Sequence, residues 1–272
     1  MKFTKMHGTG NDFIVIEDLN GNFKGKESDI AQKLCNRRFG IGADGILLVR
    51  KSNIADIEME IINADGSYAA MCGNGIRCFA KYVFDKKIVC NSKIKIATGN
   101  GIKVADLTVK NGKVSEVTID MGTYSLNPKL IPAESEEEII NKNIIVNGKE
   151  YTITSMLMGV PHTVIFCNLD DISIEEGKYI EIHDMFLEGT NVNFCEVVSR
   201  NIIKVKTWER GAGPTLACGT GSCASVVAAK LFGYVDDEVK VMVPGGELLI
   251  KLLDKEVLMT GPAVTVFEGE TV

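Results

Sequence analysis

Two copies of one short motif constrain this chain more than any other feature. Cys72-Gly73-Asn74-Gly75 opens a helix-like run over residues 76–87, and Cys218-Gly219-Thr220-Gly221 opens another over residues 222–232. The two cysteines are 146 residues apart. Their surroundings repeat as well. A strand-like segment and a polar turn precede each cysteine, residues 57–62 with Asn63-Ala64-Asp65-Gly66 and residues 202–208 with Glu209-Arg210-Gly211. A glycine follows each cysteine by 27 residues, Gly99 in one copy and Gly245 in the other. A long internal repeat of this kind marks duplicated structural units.

Each unit reads as strand, polar turn, Cys-Gly-x-Gly, helix, strands. Ile76, Phe79, Ala80, Val83 and Phe84 form an apolar stripe at helical spacing. The second helix is apolar nearly all round, through Cys223, Ala224, Val226, Val227, Ala228, Leu231 and Phe232, and so belongs in an interior. Asn111-Gly112 and Asn147-Gly148 lie between strand-like runs and predict type I′ hairpins. The predicted fold class is α/β of the α+β kind: two pseudo-symmetric halves, each a mostly antiparallel sheet or barrel wrapped around a central helix. The boundaries expected are residues 1–120 for the first half, with a final strand over 263–272 returning to it, and 121–262 for the second. Ser135-x-x-Glu138, inside the dense acidic run around Glu134 to Glu138, matches a capping box and predicts a solvated helix start.

Composition closes off several functions. A net charge of −6 supplies no basic footprint for nucleic acid. No apolar run approaches the ~20 residues of a membrane span, and the N-terminus lacks the apolar core of a signal peptide. The expectation is a cytoplasmic protein without a membrane partner. Eight cysteines without a C-x-x-C spacing are too sparse for a disulfide scaffold, and most are expected to pack as inert core residues. Cys78 and Cys223, inside their helices, belong with these.

Cys72 and Cys218 differ because of where they stand. A glycine-flanked helix start offers unpaired backbone N–H groups and a partial positive charge, which bind an anion such as a carboxylate and favour a thiolate. If the halves face each other, the two helix starts converge on one cleft, and a sulfur stands on each side of a substrate's α-carbon. Stereoinversion asks for this arrangement: one thiolate removes the α-proton, and the opposite thiol returns a proton to the other face. The helix N–H groups stabilise charge developing on the carboxylate. With reacting atoms about 3–3.5 Å apart, the sulfurs would stand roughly 6–7 Å from each other around the substrate. Rival readings fit less of the sequence. Gly40-x-Gly42-x-x-Gly45 matches a dinucleotide fingerprint as a string, but it follows a helix-like segment and precedes a strand, the reverse of the order that motif needs. His7, His162 and His183 are isolated, which argues against a metal site. A thiol hydrolase pairing one cysteine with His162 or His7 gives no role to the second motif, and a non-catalytic binding module gives none to either.

The ordered motifs His7-Gly8-Thr9-Gly10-Asn11-Asp12-Phe13, Gly40-Ile41-Gly42-Ala43-Asp44-Gly45, Asn63-Ala64-Asp65-Gly66-Ser67, Cys72-Gly73-Asn74-Gly75-Ile76-Arg77-Cys78, Pro161-His162, Glu209-Arg210-Gly211-Ala212-Gly213 and Ala217-Cys218-Gly219-Thr220-Gly221 resemble the diaminopimelate epimerases along essentially the whole chain. The resemblance implies interconversion of L,L- and meso-diaminopimelate, in lysine and cell-wall synthesis, without PLP or any other cofactor. It implies that Cys72 and Cys218 are the acid–base pair. Asn11 and the backbones of Gly73, Asn74, Gly219 and Thr220 would hold the reacting end of the substrate. Asn63, Asn191, Glu209 and Arg210 would hold the distal end, where Arg can grip a carboxylate and Glu an ammonium. The partner expected is therefore a small amino-acid substrate, and symmetry statistics favour a homodimer among possible assemblies. The chain departs from the family at Val160, where an Asn normally precedes Pro-His and binds the distal end of the substrate; Gly45 and Thr9 are lesser departures. A racemase of proline or histidine is the nearest alternative.

Overall fold

The computed structural model describes residues 1–254 and 256–272. Two compact units emerge, one comprising Met1–Asp120 with Thr260–Val272, the other Met121–Met259.

In the first unit the strand Lys2–Gly8 pairs antiparallel with Asn11–Glu17 on one side and with the C-terminal strand Val264–Glu270 on the other. Helix α1 (Glu27–Cys35) follows, and then strands Gly45–Arg50 and Ile57–Asn63. The short strand Tyr68–Ala69 leads into helix α2 (Gly73–Asp85), and Lys93–Thr98, Gly101–Lys110 and Lys113–Thr123 complete the set. Helix α2 packs on Lys2–Gly8, Asn11–Glu17, Gly45–Arg50, Ile57–Asn63 and Gly101–Lys110. Its predicted stripe supplies the contact, with Ile76, Phe79, Ala80 and Val83 all fully buried. The helix begins three residues before that stripe because the Gly-Asn-Gly segment is its first turn.

The second unit repeats this plan. Strands Lys142–Val146, Lys149–Met158 and Val160–Phe166 are followed by the short helix α3 (Gly177–Glu181). Strands Asn191–Ser199, Ile202–Glu209 and Gly213–Thr215 lead into helix α4 (Gly219–Leu231), with Glu238–Val243 and Gly246–Leu253 after it. Every α4 residue from Gly221 to Ala229 is buried, as an all-round apolar helix requires.

The duplication extends to register. In the first unit Asn11–Glu17 runs parallel to Gly45–Arg50, which is antiparallel to Ile57–Asn63, which pairs antiparallel with Tyr68–Ala69 and parallel with Lys93–Thr98. The order parallel, antiparallel, antiparallel, parallel recurs in the second unit. Ile46 faces Ile62 as Val192 faces Trp208, and Ile61 faces Ala69 as Thr207 faces Thr215. Across the parallel ladders Ile14 faces Ile46 as Thr163 faces Val192. Asn11 and Val160, each three residues before those partners, therefore hold equivalent places.

Both predicted hairpins form with positive φ at their two central residues, 52° and 74° at Asn111-Gly112 and 52° and 77° at Asn147-Gly148, as a type I′ turn demands. The glycines Gly40, Gly42 and Gly45 follow α1 and lead into a strand, the order that excludes the dinucleotide motif. One expectation fails. No helix starts at Ser135; residues 134–140 are irregular, and the Ser135 hydroxyl donates to the Glu137 carbonyl instead of capping a turn. Burial of Ile139 in the core around Trp208 anchors that segment. The capping box lies elsewhere, at Ser173 and Glu176, ahead of α3.

Candidate active site

Each repeated cysteine is the N-cap of its helix. Cys72 caps α2 with extended backbone (φ −143°, ψ 118°), and Cys218 caps α4 in the same conformation (φ −109°, ψ 111°). At an N-cap the first-turn N–H groups point past the residue and carry the positive end of the helix dipole. Cys72 Sγ accepts from the Gly75 N–H at 3.4 Å. Cys218 Sγ lies 3.5 Å from Thr220 Oγ1, while the Cys218 carbonyl accepts both the backbone N–H and the hydroxyl of Ser222 at 2.9 Å. The two glycines differ in how closely they are packed: a Cβ on Gly75 would lie 3.4 Å from the Cβ of Cys72, and one on Gly221 would lie 3.2 Å from the Cβ of Cys218 and 2.2 Å from Asn193 Oδ1.

Around Cys72 the structure gathers Asn11 and Asn74. Asn11 Oδ1 lies 3.4 Å from Cys72 Sγ and accepts from Asn74 Nδ2 at 3.4 Å. Asn11 Nδ2 donates to Asp44 Oδ2 at 2.7 Å. Asp44 belongs to a charged network with Arg37, Asp12 and Lys5, in which Lys5 pairs with Asp12 at 2.6 Å and also reaches the Gly42 carbonyl. Burial alone would raise the Asp12 carboxyl, but hydrogen bonds from Arg37 and Lys5 outweigh it and hold that group well below the usual carboxylate range. On the helix side the fully buried Arg77 donates to the Gly73 carbonyl, to Thr9 Oγ1 and to the Pro262 carbonyl, at 3.0, 3.2 and 3.3 Å. Asn63 stands in the exposed turn at the end of its strand, where its amide donates to Ser67 Oγ at 3.0 Å.

In the second unit Asn191, Glu209 and Arg210 come together at the end of the ladder that carries Cys218. The buried Asn191 amide donates to the Pro161 carbonyl at 2.7 Å and accepts from the Arg210 N–H at 2.9 Å. The Arg210 guanidinium donates to the Glu188 carbonyl at 2.8 Å, and Glu209 Oε1 accepts from Thr215 Oγ1 at 2.7 Å. Val160 is exposed.

Four of the other cysteines are inert by burial. Burial pushes the thiols of Cys35 and Cys78 up to about 12 and Cys167 up to about 11, and raises Cys195 further, so these remain protonated at neutral pH. Among the described residues no group of three His, Cys, Asp or Glu is placed to hold a metal ion.

A family model described as diaminopimelate epimerase matches residues 3–127 and 154–266. The "Diaminopimelate epimerase" of Clostridium perfringens is 59% identical over 269 residues, 99% of this chain and 98% of that protein. The chain belongs to the diaminopimelate epimerase family. Relatives of the same description in Methanococcus maripaludis and Alkaliphilus metalliredigens are 46% and 44% identical, each over 99% of this chain and 99% and 96% of their own lengths. Among solved structures, a hydroxyproline epimerase from Agrobacterium vitis superposes with a TM-score of 0.75 at 16% identity, over 99% of this chain and 90% of that one. A PhzF-family protein of Bacillus anthracis gives 0.73 at 14%, over 100% and 99%. At such identities the likeness is one of fold.

Asp44, Arg77 and Asn193 had no role expected of them from the sequence. Asn193 lies fully buried beside α4, with Oδ1 accepting from Thr207 Oγ1 at 3.0 Å and Nδ2 facing His162 Nδ1 at 3.2 Å and the Thr163 carbonyl at 3.3 Å. Because Oδ1 takes the Thr207 hydroxyl, Nδ2 donates to His162, which places the imidazole proton on Nε2. Burial, with a smaller effect from Arg210, lowers His162 to about 3. So low a value makes His162 a weak base and a poor partner for a hydrolase nucleophile. The signal for Asn193 was legible as a polar residue inside the apolar strand Asn191–Ser199; Asp44 was visible only as part of a motif.

Proposed function

We propose that this chain epimerises L,L-diaminopimelate to meso-diaminopimelate without a cofactor, with Cys72 and Cys218 as the acid–base pair. The observation that carries the reading is the matched placement of the two cysteines, each an N-cap at the glycine-flanked start of a buried helix in one of two duplicated units. The family match and the names of the relatives support the substrate.

One sulfur begins as thiolate and takes the α-proton, becoming S–H. The electron pair left on carbon delocalises into the substrate carboxylate, whose oxygens take hydrogen bonds from first-turn N–H groups of Gly73, Asn74, Gly219 and Thr220. The other sulfur gives its proton to the opposite face and becomes the thiolate. No electron leaves or enters, and the enzyme ends with its two protonation states exchanged. Asn11 holds the reacting end. Arg210 grips the distal carboxylate, Glu209 the distal ammonium, and Asn63 and Asn191 complete that pocket. Val160 supplies no amide there, so selectivity rests on the charged pair. The reaction belongs to a cytoplasmic biosynthetic enzyme of lysine and peptidoglycan precursors; no helix among the described residues is long and apolar enough to cross a membrane. A homodimer is the assembly we favour, on symmetry statistics alone.

The test is α-proton exchange and epimerisation in deuterium oxide for the wild type, Cys72→Ala and Cys218→Ala, with L,L-diaminopimelate alongside proline and histidine. Epimerisation should fall by about 100-fold or more in each variant, at least the contribution of a positioned acid or base. Near-wild-type turnover in either would end the two-base scheme, and equal rates on proline or histidine would end the substrate assignment.

A further inference from the structure

Glu209 and Arg210 lie at the tip of a hairpin. Glu209 ends the strand Ile202–Glu209 and pairs with Gly213, and Arg210, Gly211 and Ala212 connect the two. Gly211 and Ala212 are exposed, and Gly211 has a φ of 76°, in the left-handed region. A tip of this kind holds a fixed direction only if its backbone donors are tied to a rigid neighbour.

Two side chains tie it. The Arg210 N–H donates to Asn191 Oδ1 at 2.9 Å, and the Gly211 N–H donates to Glu181 Oε1, also at 2.9 Å. The other oxygen of that carboxylate, Oε2, accepts from Trp208 Nε1 at 2.6 Å. Glu181 thus grips the chain on both sides of Glu209 and Arg210, once at a core residue and once at the exposed tip. Its carbonyl also accepts from the Thr190 N–H at 3.1 Å, one residue before Asn191. The platform beneath is closely packed. Glu181 ends helix α3, whose first residue, Gly177, sits so near Trp208 that a Cβ there would lie 2.4 Å from the Trp208 Cβ. The stem of Arg210 passes Gly189, where a Cβ would lie 3.2 Å from both Arg210 Cδ and the Glu181 carbonyl oxygen.

A carboxylate suits this place as its amide would not. The indole N–H and the backbone N–H can only donate, and a carboxylate offers two acceptors and no donor. Glutamine, of the same shape, has one acceptor and must turn its NH2 on one of the two donors.

We propose that Glu181 is a positioning residue for distal recognition: by holding Trp208 with one oxygen and Gly211 with the other, it fixes the turn between them and so the direction in which Glu209 and Arg210 meet the charged end of the substrate. This rests on the role given to those two residues above.

The test is steady-state epimerisation of L,L-diaminopimelate by the full-length protein. In Glu181→Gln the core indole keeps the amide oxygen, the NH2 faces the exposed Gly211 N–H, and the turn loosens. KM should rise about tenfold, the loss of one hydrogen bond to a charged group. Because binding is lost alike in ground and transition state, kcat should change by less than about threefold. Trp208→Phe removes the indole donor but leaves Gly211 its acceptor, so KM should stay within about twofold of wild type. In Glu181→Gln/Trp208→Phe the amide oxygen is free to turn to Gly211, and most of the lost affinity should return; two merely structural defects would instead add. An unchanged KM in Glu181→Gln, or a double variant weaker than Glu181→Gln alone, overturns the proposal. Hydrogen exchange of the wild type keeps the test open where a variant does not fold. The Arg210 and Gly211 amides should exchange at least about tenfold more slowly than in an unstructured peptide, and exchange at the peptide rate overturns the proposal. Arg210→Ala separates the two levels of the argument. An unchanged KM there ends the distal-end reading and this proposal with it, whereas a raised KM there beside an unchanged one in Glu181→Gln ends the positioning role alone.

Discussion

Gly75 and Gly221 occupy the same position of the same motif in the two units, yet alanine should be tolerated at one and not at the other. A Cβ on Gly75 would meet Leu47 Cδ2 and Phe13 Cζ at 3.3 Å, apolar side-chain tips that need yield only a few tenths of an ångström. A Cβ on Gly221 would lie 2.2 Å from Asn193 Oδ1. Reaching ordinary contact asks for a shift of about 1.2 Å in a fully buried amide tied to Thr207, His162 and the Thr163 carbonyl. Alanine gains about 1 kcal/mol of helix propensity over glycine at either site. At Gly75 that gain roughly cancels the crowding, so Gly75→Ala should stay within about 1 kcal/mol of wild type. At Gly221 the displaced amide loses a hydrogen bond worth about 1 kcal/mol and leaves buried polar atoms unsatisfied at about 1–3 kcal/mol, with overpacking adding about 1–3 kcal/mol. The net expectation is a loss of about 2–4 kcal/mol. Urea unfolding of the two variants measures the difference directly through the midpoint and slope. In an Asn193→Ala background the obstacle is gone, and Gly221→Ala should cost about 1 kcal/mol or less, a coupling read from the double-mutant cycle. Equal stability of Gly75→Ala and Gly221→Ala, or an unchanged cost of Gly221→Ala without Asn193, would refute the packing argument.

Two further outcomes follow from buried charge. Arg50 pairs with Asp18 at 3.1 Å and Glu27 at 2.6 Å, carboxylates whose side chains are 0% and 4% exposed. Arg50→Met strands them and should cost about 3–5 kcal/mol in urea unfolding; a loss below about 1 kcal/mol would contradict the pairing. His162, neutral in the fold, must take up a proton on unfolding once the pH drops below 6.5, the ordinary value. The unfolded state then binds more protons, so the contribution is fully present above pH 6.5 and is lost on acidification toward about 3, the folded value. Between pH 7 and pH 5 it amounts to about 2 kcal/mol. His162→Gln should flatten that stretch of the stability profile, and an unchanged slope would show that His162 titrates normally in the fold.

The duplication, the two helix starts and both I′ hairpins were legible because each rests on local chemistry: Cys-Gly-x-Gly at a cap, a stripe of period 3.6, Asn-Gly with positive φ. The helix expected at Ser135 failed where local preference met a long-range demand. Burial of Ile139 and the bond from the Ser155 N–H to the Ile139 carbonyl fix that segment as an irregular chain, and neither is visible in the four residues of a capping box. Asp44 was hidden for a related reason. It bonds to Asn11, 33 residues away, which in turn approaches Cys72, a further 61 residues on.

What the duplication preserved and what it let drift have different physical causes. Both units keep a cysteine in extended conformation at the N-cap and glycine at the first and third helical positions. The layer beneath the cap has diverged between the units. By register Phe13, Ile14, Leu47 and Ile61 of the first unit are the equivalents of His162, Thr163, Asn193 and Thr207 of the second. Beside Cys72, Asn11 places Oδ1 3.4 Å from that sulfur. Under Cys218 the layer is polar, with Thr163 also bonded to Ser155 and Thr190 at 2.8 and 3.0 Å and His162 Nε2 buried without a hydrogen-bond partner, and the equivalent of Asn11 is Val160. Two units that each kept a cysteine at a helix start have thus acquired different surroundings for it.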